Sequence, residues 1–351
     1  VTRALTDNDK WFRGPFERAG LVDLQRRVVD QEIDVLPHGA LRFRVATECL
    51  GTAGTGFLHD ATYTVLGDGE IVIDNEVTPI GNLPPLPKLG LQMRLDPAYQ
   101  TFAWYGRGPG ESYPDRKRSV AIGEWRTKVA DTYVPYVRPQ AHGNRTDVRW
   151  AALTDEAGQG LLVVAGEPLN VTATHCEPVE LEASRHRAGQ PKRRIPLVPR
   201  KEVILSLDAD QMGLGGASCG PRPMPEYLLR PERTRFRVSL RPHRGALRHV
   251  PIPIAQAPVV ERDRACVVTM TSPTSGGRIH YTVDGVTPTE ADNRYARPFV
   301  HTEAAVLRAI ATAPGRLPSP PTSLILEKAR PLLTVDKRRW RLHGCDSEQP
   351  G

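Results

Sequence analysis

The densest set of chemically capable residues lies in 104–116, which reads WYGRGPGESYPDR. It carries Trp104, Tyr105, Arg107, Glu111, Tyr113, Asp115 and Arg116. Glu111 and Asp115 are two carboxylates of the kind a glycosidase sets on either side of the bond it cleaves. Their neighbours Arg107, Arg116 and Arg118 favour another reading, a partly buried ion network that fixes a loop. A second candidate is the glycine cluster Gly213, Gly215 and Gly216. A phosphate cradle would need a fixed glycine spacing and a following helix. Pro221, Pro223 and Pro225 follow instead, so the cluster reads as a tight loop lining a cleft. The ten histidines, His175 and His186 among them, form no metal-binding pair at helical spacing, and their reading is structural or solvated. No nucleophile elbow, P-loop, zinc-protease or dinucleotide motif occurs.

The elements that must hold these residues are strands. Prolines number 33 and glycines 30, together 63 of 351 residues or about 18%, against roughly 12% in average usage. Both residues punctuate turns and stop helices. Alternation of apolar and polar side chains predicts strands at 41–48, 61–65 and 70–77, the last two joined as a hairpin across Leu66-Gly67-Asp68-Gly69. Further strands are expected at 89–95, 101–105, 147–153, 160–165, 203–207 and 234–240. Only 12–19 and 118–124 read as short helices. The fold class is therefore all-β, a large antiparallel sandwich over 1–242. Residues 243–258 are proline-rich and read as a linker. A second strand-rich unit spans 259–328, with strands at 265–270, 278–283 and 305–312, of a size suited to a small immunoglobulin-like sandwich. Residues 329–351 read as a polar tail.

Charge and cysteine content narrow the function. The net charge is +7, from 47 basic and 40 acidic residues, which invites a polyanion partner. Seven of those cations (Arg185, Arg187, Lys192, Arg193, Arg194, Arg200 and Lys201) fall in 184–201 with no acidic residue, so the rest balances at 40 against 40. The run lacks interleaved aromatics or a helix to present it, and reads as a solvated loop. No nucleic-acid partner is expected. No apolar run reaches membrane-spanning length, and charges run throughout residues 1–30, where a signal peptide would be apolar. The five cysteines are widely spaced, without a zinc-type pair, and predict a reducing cytoplasm. No metal site is expected in the chain. The initial Val and the opening inside an element read as the mark of a fragment.

Taken in order, the motifs resemble the small-chain region of glycoside hydrolase family 2 β-galactosidases. They are TDND with AGL, GDGEIVIDNEV, LPPLPKLGLQM, WYGRGPGESYPDR, YVPYVRPQ with GNRTDVRW, and LDADQMGLGG with SCGPRPMPEYLL. The resemblance covers about 1–242. It implies a galactose mutarotase-like sandwich within a retaining glycosidase. The family's catalytic glutamates and main magnesium site sit on a TIM-barrel domain preceding this region. The resemblance thus implies no catalytic residue in this chain and structural roles for Glu111 and Asp115. It also implies a barrel region or large subunit as partner, a β-galactoside substrate, an oligomer, and magnesium and sodium for the complete enzyme only. Gly215, Gly216, Ser218 and Cys219 would form a loop at the mouth of the sugar site. Cys219 stands where many members carry a Trp on which the sugar stacks, and a thiol offers no such platform. Ala141-His142 stands where the family often has a Glu after Pro-Gln. Residues 279–289 (IHYTVDGVTPT), Tyr295, Pro298-Phe299 and 306–312 (VLRAIAT) resemble the chitobiase/β-hexosaminidase C-terminal domain. A non-catalytic carbohydrate-binding protein is the alternative reading.

Overall fold

The computed structural model describes residues 1–36, 40–184, 196–245, 257–274, 276–313, 318–319 and 321–329. Most of the expected linker, the core of the basic run and the tail lie outside them.

The chain opens with a 3-10 turn, Asp7–Asp9, leading into α1, Lys10–Arg18. Phe12 and Phe16 sit one turn apart on one face of α1, and both are fully buried. The helix stops because Gly20 adopts φ +71, where a Cβ would meet the Thr52 nitrogen at 2.5 Å.

Eleven strands then form one large antiparallel sheet folded around a single core. They are β1 (Gln25–Val35), β2 (Leu41–Leu50), β3 (Gly56–Val65), β4 (Ile71–Ile80), β5 (Lys88–Leu95), β6 (Thr101–Gly108), β7 (Ala121–Lys128), β8 (Arg145–Thr154), β9 (Gly160–Thr174), β10 (Val203–Gln211) and β11 (Thr234–His243). The order is β1-β2-β3-β4-β11-β9-β8-β6-β7, with β10 joining β9 to β5. Fifteen residues long, β9 pairs β11 through Gly160 to Ala165 and β10 through Asn170 to Thr174. Between the two ladders its residues 166–168 are exposed, and Pro168 has no N–H to leave unpaired. One strand thereby serves two branches of the sheet. In β4, Ile73 and Val77 turn inward while Asp74 and Glu76 turn outward to Arg237 and Arg235 of β11. The core includes Phe102, Trp104, Val148, Leu205, Leu207 and Val238. A short helix, α2 (Pro178–Ala183), follows β9.

The expected helix at 118–124 is instead the start of β7. Trp125 explains the difference: it pairs across from Trp104, donates to the Gly106 carbonyl at 3.2 Å, and covers Gly108 so closely that a Cβ there would lie 2.5 Å from its ring. Packing on β6 overrides local preference.

The second unit is a small two-sheet sandwich. Strands β12 (Val259–Arg262), β13 (Val267–Thr271) and β16 (Phe299–Val300) form one sheet. The other contains β15 (Asn293–Arg294), β14 (Arg278–Thr282), β17 (Ala305–Thr312) and β18 (Thr322–Leu326), in that order. Val268, Met270, Ile279, Leu307 and Leu326 close its core. Among the described residues no helix is long and apolar enough to cross a membrane.

Candidate functional site: a rim of three loops

The 104–116 segment is the end of β6 and the turn that follows. Trp104 is fully buried, stacked on Phe102 at 4.7 Å, with the Arg145 guanidinium 4.9 Å from its ring centre. Burial pulls the Arg145 pKa down to about 10. The Trp104 indole N–H donates to the Arg107 carbonyl at 2.9 Å, which locks the strand end. On the opposite face Tyr105 lies under Arg149. Arg107 and Lys117 both pair with Asp147, at 2.5 and 2.8 Å. Burial alone would raise the Asp147 carboxyl pKa, but the two cations hold it below the usual carboxylate range.

Glu111 and Asp115 each fasten a different loop. Arg116 and the Tyr136 hydroxyl both donate to Glu111 Oε1, while the Gly143 N–H donates to Oε2 at 2.8 Å. Glu111 therefore ties down the loop between β7 and β8. Beneath it Tyr113 is fully buried, with Arg116 over its ring, and burial foremost, then the Glu111 charge, pushes its phenol pKa up. Asp115 accepts the N–H groups of Leu214 and Gly215, at 2.9 and 2.7 Å, one on each oxygen. The glycine at 213 is required here, because a Cβ would lie 2.7 Å from the Asp115 carboxyl carbon. Each oxygen of both carboxylates thus accepts a hydrogen bond from a donor that holds a loop.

The loop Asp115 holds closes on itself. Gly215 takes φ +59, the Gly216 N–H donates to Pro221 at 2.8 Å, and the Cys219 N–H donates to Gly216 at 3.1 Å. Cys219 is exposed at its tip. The first turn of the chain then clamps this loop from the other side. Asn8 donates to the Gly215 carbonyl at 2.8 Å and accepts from the Ser218 N–H at 2.9 Å, while the Lys10 ammonium reaches the Ser218 carbonyl at 3.0 Å. The same turn takes up the third loop. Gln140 accepts from the Asp7 N–H at 2.9 Å, Arg138 pairs with Asp7 at 3.4 Å, and Ala141 N–H donates to Ala4. His142 behind it is buried, which keeps its pKa below the ordinary histidine value. Asp9, wholly buried, pairs with Arg3 at 3.0 Å and caps the turn through the Thr6 N–H at 2.7 Å.

These loops enclose an open recess of about 530 Å³, edged by Thr6, Asp7, Lys10, Arg13, Arg138 and Ser218. Its lining combines ionic and hydroxyl side chains with the apolar Leu5. Of Gly215, Gly216, Ser218 and Cys219, which share one loop, Ser218 lines this recess, while Trp104, Tyr105, Arg107 and Tyr113 do not. Asn8, Lys10, Tyr136 and Gln140 were not singled out from sequence. TDND and RPQ are visible there as motifs, but their partners lie up to 210 residues away. Among the described residues no three His, Cys, Asp or Glu side chains stand close enough to share a metal ion. Residues 185–195 of the basic run lie outside the described residues. Arg200, at its end, pairs with Glu180 of α2 at 2.7 Å.

This is an all-β scaffold with three loops tied together by hydrogen bonds at one end of the large sheet. The chain belongs to the β-galactosidase small-chain family, whose profile matches residues 1–240; residues 263–323 match the chitobiase/beta-hexosaminidase C-terminal domain. It is 35% identical to a beta-galactosidase of Priestia megaterium over 169 residues, covering 48% of this chain and 16% of that protein. It is 31% identical to beta-galactosidase BgaC of Bifidobacterium adolescentis over 234 residues, 65% of this chain and 22% of that one. A beta-galactosidase of Lactobacillus delbrueckii subsp. bulgaricus is 33% identical over 251 residues, 68% of this chain and 23% of its own length. The match thus spans under a quarter of each of these relatives. Among solved structures, a GalM/aldose epimerase homologue from C. elegans aligns over 62% of this chain and 69% of its own, at 13% identity and a TM-score of 0.29.

Proposed function

We propose that this chain is the C-terminal portion or small subunit of a cytoplasmic retaining β-galactosidase. In this reading it completes the rim of the sugar site and supports assembly, while the nucleophile and acid/base glutamates come from a barrel region or large subunit. Magnesium and sodium belong to that region. The observation that carries the reading is the rim itself. Three loops distant in sequence are fastened around one open recess, and the carboxylates of the signature segment, Glu111 and Asp115, each hold one of those loops. The substrate contact falls to the Gly215–Cys219 segment, where Cys219 supplies no aromatic face, which points to a β-galactoside whose leaving group does not depend on indole stacking.

The isolated chain, mixed with a chromogenic β-galactoside, is expected to show no turnover, and activity is expected on adding a β-galactosidase polypeptide that ends before the matched region. Robust hydrolysis by the isolated chain overturns the reading. The alternative, a non-catalytic carbohydrate-binding protein, is favoured by the recess standing open in the chain by itself. Calorimetry with galactose, lactose and chitin oligomers separates the two, since only the alternative predicts heat of binding without the barrel region.

A further inference from the structure

All eight residues of β17 are buried, although a strand in a free small sandwich has one face to the core and one to water. Alternation sends Ala305, Leu307 and Ala309 into the unit's own core. The opposite face carries Val306 and Arg308, both with no exposed surface. Val306 packs with Ala40, Leu66 and Val72 of the first domain. Arg308 reaches two carboxylates on the β3–β4 hairpin, Asp68 through Nη1 and Glu70 through Nη2. Glu70, 2% exposed, also takes the Ser239 hydroxyl and Arg241, the latter at 3.0 Å. Arg241 completes the circuit by donating to the Pro321 carbonyl of the second unit at 3.0 Å, and Thr287 donates to Asp68 at 3.0 Å.

We propose that the outward face of β17 in the second unit is a dedicated docking surface for the Leu66–Glu70 turn of the first domain, held by the Asp68–Glu70–Arg241–Arg308 quartet, in which Glu70 and Arg308 are buried and Asp68 forms the exposed edge. The two units are then one cooperative body, and this sheet face is not a ligand surface of a tethered sugar-binding appendage. The composition of the quartet supports this. Two cations face two carboxylates, so the cluster is neutral as a whole, and the buried charges, Glu70 and Arg308, pair with each other across the two units. A loosely tethered unit would expose β17 on one face and would leave Arg308 in water, where a surface pair contributes little. The hairpin turn has a second requirement that fits: Gly69 holds φ +83 with Pro242 directly beneath it, so the turn is presented rigidly.

The test uses the full chain with a protease site introduced within 243–258. After cleavage, the two pieces are expected to co-elute on size exclusion at neutral pH, and the uncut chain to melt in one calorimetric transition. Arg308→Met should release the pieces and split the melt into two transitions. Arg308→Lys, which keeps the charge but loses the fork, should give partial release. If Arg308→Met does not fold, Asp68→Asn with Thr287→Val weakens the same contact from the exposed edge and should raise the fraction released at least several-fold. Wild-type pieces that separate at once, or variants that co-elute as the wild type does, overturn the proposal.

Discussion

Replacing Asp115 should loosen the glycine loop without unfolding the domain. The side chain accepts two backbone N–H groups, from Leu214 at 2.9 Å and Gly215 at 2.7 Å, and Leu214 is only 8% exposed. Hydrogen bonds to a charged acceptor contribute about 1.5–3 kcal/mol each. Asp115 is only half-buried, so the lower end applies and Asp115→Ala forfeits about 3 kcal/mol at the loop. At about 1.4 kcal/mol per tenfold, that raises the open population of the loop about a hundredfold. Asp115→Asn keeps one acceptor and turns an amide N–H₂ toward the other donor, which predicts a loss of about tenfold. Hydrogen exchange followed by mass spectrometry on peptides covering 211–222 reads this directly. The expected order is wild type, then Asn, then Ala, with peptides from β4 and β10 unchanged. Equal exchange in all three proteins would refute the assignment of Asp115 as the loop's anchor. So would a loss of protection spread uniformly over the sheet, because the carboxylate would then be holding the whole domain.

Gly215→Ala should lower the melting temperature, through a cost of at least about 2 kcal/mol from a left-handed non-glycine residue with its Cβ 2.5 Å from the Pro223 nitrogen; an unchanged melt would contradict the loop geometry. Alkylation followed by peptide mapping should find Cys219 modified well before Cys176, because Cys219 is exposed while burial raises the Cys176 thiol to about 11. His142 titrates below its ordinary 6.5 when folded, so between the two values the unfolded chain binds more protons and stability falls as pH drops below about 6.5. Melting curves from pH 7.5 to 5 should show that loss, and His142→Gln should flatten it.

What the sequence shows of this fold depends on whether a strand has one wet face. Residues 70–77 are legible because Ile73 and Val77 face the core while Asp74 and Glu76 face water. Strand β1, QRRVVDQEIDV, is exposed along nearly its whole length at the sheet edge and offers no alternation to read. Residues 121–128 are a strand only because β6 and the Trp125 ring make them one. The glycine and proline in β9 hide its second half, although Val171 and Ala173 there are core residues. At the site, Glu111 and Asp115 stand out by type, and the ion partner of Glu111, Arg116, sits five residues on, whereas the partners of Asp115 are backbone N–H groups about a hundred residues away. Asn8 and Lys10 do not, since an Asn between two Asp residues has no periodicity to give it away. Its meaning arises only when residue 218 is folded against it.

That separation governs when the rim can exist. The bonds from Asn8 to Gly215 and to Ser218 close loops of 207 and 210 residues. Chains are synthesised from the N-terminus, and domains fold as their last pieces emerge. The turn at 6–10 therefore waits, with Arg3 and Asp9 still uncovered by Met212, until nearly the entire first domain has left the ribosome. A polypeptide stopped before Gly213 would have most of the sheet and the Asp7–Gln140 side of the rim but not the glycine loop, so the rim is completed in a single late step of synthesis.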